Sequence, residues 1–230
     1  MIYSTVTTSP PVIILAFSDI HGAYRDVDRA ISAHGAFDAI ILAGDLTTVG
    51  TAREAREAIR LMLAHGKPVM AVAGNMDPGP VEEEFRALGV SIDACGRTIG
   101  DIGFFGVSAA PVSALRTPNE ITEEEILRRA EQGWSEVAGC ARKVFVPHAP
   151  PAGTALDRLR DGRHVGSSAV REFIERRRPD VVICGHIHEA RGIDRIESTL
   201  IVNCGPAGKG SYAVLDLSDE PRVTLKSPQE

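Results

Sequence analysis

The sequence predicts an α/β protein whose chemistry gathers at strand ends, and three observations carry that expectation. Short apolar runs recur at residues 12–17, 39–43, 68–72, 143–146 (opening on Lys143) and 181–183. Runs without polar alternation mark strands buried on both faces. Each run closes in a polar tip, and amphipathic stretches of helical period separate the first three.

Composition narrows the class. At 230 residues, 43% hydrophobic and 24% charged, the chain has the make-up of a globular protein able to bury a sizeable core. Its formal charge of −6 argues against nucleic acid as a partner, since phosphate backbones need a basic face. Phosphate-bearing small molecules remain compatible, because bound divalent ions reverse the field of an acidic site. Cys95, Cys140, Cys184 and Cys204 are scattered without a C-x-x-C pair, as expected of reduced thiols in a cytoplasmic protein. Residues 1–11 carry no positive charge or long apolar core, which argues against a signal peptide. No run approaches the ~20 residues of a membrane span, so no membrane partner is expected. No long linker or low-complexity tract divides the chain, and residues 1–230 read as one domain.

The first run ends in Ser18-Asp19-Ile20-His21-Gly22. Residues two apart on an extended segment face one side, which would aim Asp19 and His21 at one spot. The competing role for Asp19 is to cap a helix expected over 25–34, with Val27, Ala30 and Ile31 inward. The second run leads into Gly44-Asp45, where glycine permits a sharp turn and close backbone approach. A helix with a Glu/Arg-rich outer face follows over 51–64. The third run ends Ala73-Gly74-Asn75-Met76-Asp77, ahead of a helix at 81–88. Short strands at 91–92, 97–99 and 102–107, a loop over 108–120 and a helix over 122–137 come next. Thr122, with Glu125 three residues on, is that helix's start signal. The run 143–146 ends at Pro147-His148-Ala149-Pro150-Pro151, and Ser167 should cap a helix that Pro179 stops. The fifth run closes in Cys184-Gly185-His186-Ile187-His188, and strands at 191–196, 199–202, 212–217 and 222–225 complete the chain as hairpins.

The tips together hold Asp19, His21, Asp45, Asn75, His148, His186 and His188. Imidazole is the commonest protein metal ligand. Four imidazoles, two carboxylates and one amide, with no thiolate, suit manganese, iron, zinc, nickel or cobalt better than calcium. Seven groups are too many for one ion and fit two, with one carboxylate shared. Ion pairs ~3.5–4 Å apart serve displacement at phosphorus.

In this order, Asp19-x-His21, Gly44-Asp45, Gly74-Asn75, His148 and Gly185-His186-x-His188 resemble the motifs of the calcineurin-like metallophosphoesterases. The similarity runs from Val12 to at least Tyr212, and it is nearest to small prokaryotic members without a cap domain. The resemblance implies a four-layer αββα sandwich of two mixed sheets with metals at the strand ends. It implies one ion, manganese by preference, on Asp19, His21, Asp45 and His188, and another on Asp45, Asn75, His148 and His186, with Asp45 bridging. The implied activity is hydrolysis of small phosphodiesters or nucleotides through attack by a bridging hydroxide. One departure stands out: most of the family has histidine after the motif-three asparagine, and this chain has Met76. Methionine cannot donate a proton to a leaving oxygen. Asp77 is therefore the candidate catalytic group in its place, and His164 is a further catalytic candidate. Asn75 and Arg163 are candidate substrate contacts, the last because Arg163 and His164 precede a helix N-terminus able to hold an anion. Asp157 is a candidate to orient His148. The alternative is a metal-binding interaction protein that keeps the fold without the chemistry, as in the retromer subunit of like fold.

Overall fold

The run Ile13–Phe17 forms strand β1, and its alternate residues enter two different cores. Leu15 and Phe17 join one cluster, and Ile14 and Ala16 join another. This is the period of a strand with a packed layer on each face. The computed structural model describes residues 12–218 and 220–227. The expectation about residues 1–11 lies outside them.

From β1 the chain runs through α1 (Tyr24–His34), β2 (Ala39–Ala43), α2 (Ala52–Leu63), β3 (Val69–Val72) and α3 (Gly79–Ala87). Next come β4 (Gly96–Ile99), β5 (Ile102–Val107), β6 (Ala110–Pro111), β7 (Glu120–Ile121), α4 (Glu123–Val137) and β8 (Arg142–Pro147). α5 (Ser168–Arg177), β9 (Val181–Cys184), β10 (Gly192–Ile196), β11 (Thr199–Asn203), β12 (Tyr212–Asp216) and β13 (Arg222–Lys226) complete it. The predicted caps Thr122 and Ser167 accept from the backbone N–H three residues on, and Thr51 does the same for α2. All five apolar runs are strands. Residues 91–92 form only a bridge, Ser91 to Ala71, and the loop over 108–120 contains β6, which pairs with β7.

The strands form two large mixed sheets, ordered β13-β12-β1-β2-β3 and β10-β11-β9-β8-β5-β4. The closing strands are hairpins as expected, yet the two hairpins belong to different sheets, with β12 antiparallel to β1 and β11 parallel to β9. Between the sheets lies a core of Ile41, Val72, Phe104, Val144, Val146, Ile183 and Val202. Helices α1, α2 and α3 cover the first sheet through Val27, Ile31, Ile59, Met62 and Phe85. Helices α4 and α5 cover the second through Ile126, Phe173 and Ile174, where Phe105, Phe145 and Phe173 meet at 4.9–5.8 Å. The result is four layers, αββα. Burying each of these large side chains contributes about 1.5–3 kcal/mol. β1, β2 and β3 run parallel, as do β5, β8 and β9, so five polar tips emerge at strand carboxyl ends.

No helix is long and apolar enough to cross a membrane among the described residues. Cys184 and Cys204 are buried free thiols, whereas Cys95 and Cys140 are half-buried.

Candidate metal centre

The tips of β1, β2, β3, β8 and β9 bring the seven candidate ligands together. Asp19, His21 and His188 present ligand atoms within 4.8 Å of one another, and so do Asp19, Asp45 and His148. His21 Nε2 lies 3.4 Å from His188 Nε2 and 3.6 Å from Asp45 Oδ2. His188 Nε2 is 3.4 Å from Asp19 Oδ1. On the other side, His148 Nε2 stands 3.0 Å from Asn75 Oδ1 and 3.6 Å from Asp45 Oδ2. His186 packs edge-on to His148, with ring centroids 5.1 Å apart. Asp45 therefore sits between the two groups of nitrogens, where a bridging carboxylate would sit.

This convergence does not arise from extended strand ends. Asp19, His21, Asp45 and His186 all have φ between 48° and 69°, in the left-handed region. Each such residue costs ~1–2 kcal/mol relative to ordinary backbone, and strain of this kind concentrates at functional sites. Asp19 and His21 meet because the β1 tip curls over the β2 tip. Asp19 N–H donates to Gly44 O, and the N–H groups of Ile20 and His21 both donate to Asp45 O. Asp19 caps no helix; α1 begins after Ala23, without a side-chain cap. Its carboxylate instead accepts from His186 N–H at 2.9 and 3.1 Å, tying the two sheets.

Two glycines make room. A Cβ at Gly44 would fall 2.1 Å from His148 Nδ1, and one at Gly74 would fall 2.1 Å from Asp45 Oδ1 and 2.3 Å from Asp45 N. Gly44 has φ +95°, closed to most L side chains in any case.

The donor set fits cations. Ala43 O can only accept, so His148 Nδ1, 2.9 Å away, carries the proton. That leaves Nε2 with a lone pair facing the oxygens of Asn75 and Asp45. Likewise, the facing Nε2 atoms of His21 and His188 can share at most one proton. Lone pairs aimed at one another need a positive charge between them. Without a metal a proton takes that part at His148. Burial disfavours its imidazolium, but the Asp45 and Asp19 carboxylates prevail and hold its pKa up at about 9. Burial and the neighbouring His148 charge push His186 down to about 4. Burial raises the Asp19 pKa, but His188 and His148 outweigh it and bring the carboxyl to about 2.

The remaining sequence candidates fall elsewhere. Asp77 is fully buried, and the tip around it is a turn, not an extended segment. Its Oδ1 accepts from Thr47 N–H and Oγ1–H, and its Oδ2 from Leu46 N–H and Gly74 N–H, at 2.7–3.0 Å. Burial and the nearby Asp45 push its pKa up. Placed so, Asp77 braces the β2 and β3 tips from beneath and has no lone pair left for a leaving group. The anion position at the α5 N-terminus, on which the substrate role of Arg163 and His164 rested, is filled by the protein itself. Glu123 accepts from Ser168 N–H, Ala169 N–H and Ser167 Oγ–H there. Arg163 pairs with Asp161, and His164 Nδ1 lies 2.7 Å from Asp157. Neither hydrogen-bonds to any of the seven. Asp157 does not orient His148 either; it accepts from Gly153, Thr154 and Gly166 N–H and fixes its own loop.

Two residues of the site frame carry no motif in sequence. Asn203 Nδ2 donates to Ile187 O and Gly185 O, holding the β9 tip, and Asn203 Oδ1 accepts from Gly205 N–H. Asn119 Nδ2 donates to Gly74 O, and Asn119 N–H to Asn75 O, holding the β3 tip. Met76 enters through its backbone, donating its N–H to Asp45 Oδ1 at 2.7 Å.

The sequence pattern of the calcineurin-like phosphoesterases matches residues 13–190. The chain belongs to that family. It is similar to the uncharacterized protein MJ1162 of Methanocaldococcus jannaschii, 34% identical over 208 residues, 88% of this chain and 91% of that relative. Among solved structures, TT1561 of Thermus thermophilus superposes with a TM-score of 0.73 at 18% identity, covering 95% of this chain and 99% of that one. A novel archaeal phosphodiesterase gives 0.52 at 18% identity, over 94% of this chain and all of that one. These two likenesses show the fold; the pattern match shows this chain to be a calcineurin-like phosphoesterase.

Proposed function

We propose that this phosphoesterase hydrolyses small phosphodiesters with two divalent ions held by the seven strand-tip side chains. The observation that carries the reading is the pair of inward-facing nitrogen and oxygen sets on either side of Asp45. His21 and His188 would serve one ion with Asp19, and His148, His186 and Asn75 the other. When bound, the ions would supply Lewis-acid chemistry, neutralising phosphoryl charge and activating water. The chain's own residues do the positioning. Ala43 O fixes the His148 tautomer, Met76 N–H turns the Asp45 carboxylate, and Asn75 contributes a neutral oxygen that preserves positive charge for phosphate. The His188 side chain is 41% exposed, so the cluster opens to solvent on that side and admits a diester. The archaeal phosphodiesterase of like fold is consistent with such a substrate. Since Met76 brings no proton donor, esters with stable leaving oxygens should react best. We take manganese as the working ion and the cytoplasm as the working compartment.

Bis-p-nitrophenyl phosphate, whose leaving phenolate needs no proton, should be hydrolysed with Mn²⁺ and lose turnover on chelation. Equal rates in stripped and loaded protein would rule the reading out. Persistent metal binding with no turnover of any diester would instead favour an interaction protein that keeps the fold.

Proton competition gives a pH signature. His148 must lose its proton before Nε2 can bind a cation, and that proton leaves near pH 9. Below that value Mn²⁺ affinity should weaken by about tenfold per pH unit, with protons released on binding. Calorimetry at pH 8.0 and 6.5 in buffers of different ionisation enthalpy measures both, and equal affinities would contradict the assignment of His148.

A further inference from the structure

We propose a second ligand site: an arginine-lined cavity beside α3, β4 and α4 that takes a small molecule bearing phosphate groups. The cavity has a volume of about 470 Å³ and is lined by Arg86, Arg97, Arg128 and Arg129 with Asp93 and Gln132. That volume suits a small ligand.

In a chain of net charge −6, four guanidinium groups at one cavity are a local reversal of sign. Asp93, its side chain 1% exposed, grips two of them, with Arg86 Nη2 at 2.8 Å and Arg129 Nη1 at 3.1 Å. Glu125 holds Arg128 Nε and Arg129 Nε, each at 2.7 Å. Four cations against these two carboxylates and Glu82, 3.5 Å from Arg86 Nε, leave a formal excess of one charge. The Glu82 carboxyl is also engaged by Ser91 and Ser108.

The acids orient the arginines without exhausting them. Arg86 Nη1, Arg129 Nη2 and the whole Arg97 guanidinium have no hydrogen-bond partner among the described residues. Three donor groups from three elements match the oxygens of a tetrahedral phosphate better than the two oxygens of a carboxylate. The wall is rigid where it meets the metal centre. Asp93 Oδ1 accepts from Ser108 N–H, and Ser108 Oγ accepts from Ala73 N–H, one residue before the Gly74-Asn75 tip. The site stands apart from the metal reading, since none of its lining residues is a candidate ligand.

Inorganic pyrophosphate is the probe, titrated calorimetrically into the full, metal-stripped chain at fixed ionic strength. One equivalent should bind, and Arg97→Ala should weaken it at least tenfold, whereas Arg128→Ala, whose guanidinium is engaged by Glu125 and Gln132, should change it little. Both side chains are exposed, and bis-p-nitrophenyl phosphate turnover and melting midpoint should match the parent protein. No binding to stripped protein would overturn the proposal, as would affinity unchanged by Arg97→Ala. Malonate binding as tightly as pyrophosphate would overturn the phosphate assignment.

Discussion

Replacing Asp45 with alanine is expected to remove both ions and to abolish diester hydrolysis. Its Oδ2 lies 3.6 Å from His21 Nε2 and 3.6 Å from His148 Nε2, one on each half of the cluster. Loss of one imidazole leaves the other half intact, whereas loss of Asp45 removes a carboxylate from each. Burial and repulsion from Asp19 disfavour the Asp45 carboxylate, but His148 outweighs them and holds its pKa below the usual range, so its removal should cost some stability. Relief of that repulsion offsets part of the lost bond to Met76 N–H. Elemental analysis of Asp45→Ala with more than one ion per chain would show that the bridge lies elsewhere.

The second large effect is on stability. Asp77→Ala would strand the buried N–H groups of Leu46, Thr47 and Gly74 together. Each unsatisfied buried donor costs ~1–3 kcal/mol, so a loss of several kcal/mol is expected. For a chain of this size that lowers the melting midpoint on the order of 10 °C. Asp77→Asn should also destabilise, because its amide would turn an N–H toward these donors. A proton-transfer role predicts the reverse pattern, full stability with turnover down about 10²–10⁴-fold. Turnover per bound metal within tenfold of the parent, together with a lowered midpoint, identifies Asp77 as a positioning residue.

Much of the fold was legible because burial on both faces leaves a simple trace. The runs 12–17 and 39–43 are apolar throughout, and the structure divides each between two cores. The ligand types were legible for a similar reason: polar residues that end buried strands need a partner, and seven of them suit cations. The geometry was not. Period-two reasoning placed Asp19 and His21 on one extended face, yet both occupy left-handed backbone. Backbone hydrogen bonds to Gly44 O and Asp45 O, at a strand tip 20 or more residues away, help to hold them there. The same limit applies to Asp77, which a turn after Asn75 directs inward onto the Gly74, Leu46 and Thr47 N–H groups. The N-terminus of α5 invited an anion by local rule, and Glu123 from another helix supplied one. Asn203 and Asn119 look like turn residues in sequence; their work is done on backbone distant along the chain.

The central claim is a paired-ion centre. It is tested most directly by the metal content of the parent protein after stripping, reconstitution with Mn²⁺ and removal of free ion. Two ions per chain are expected, falling to none in Asp45→Ala; one ion or fewer in the parent protein would contradict the account.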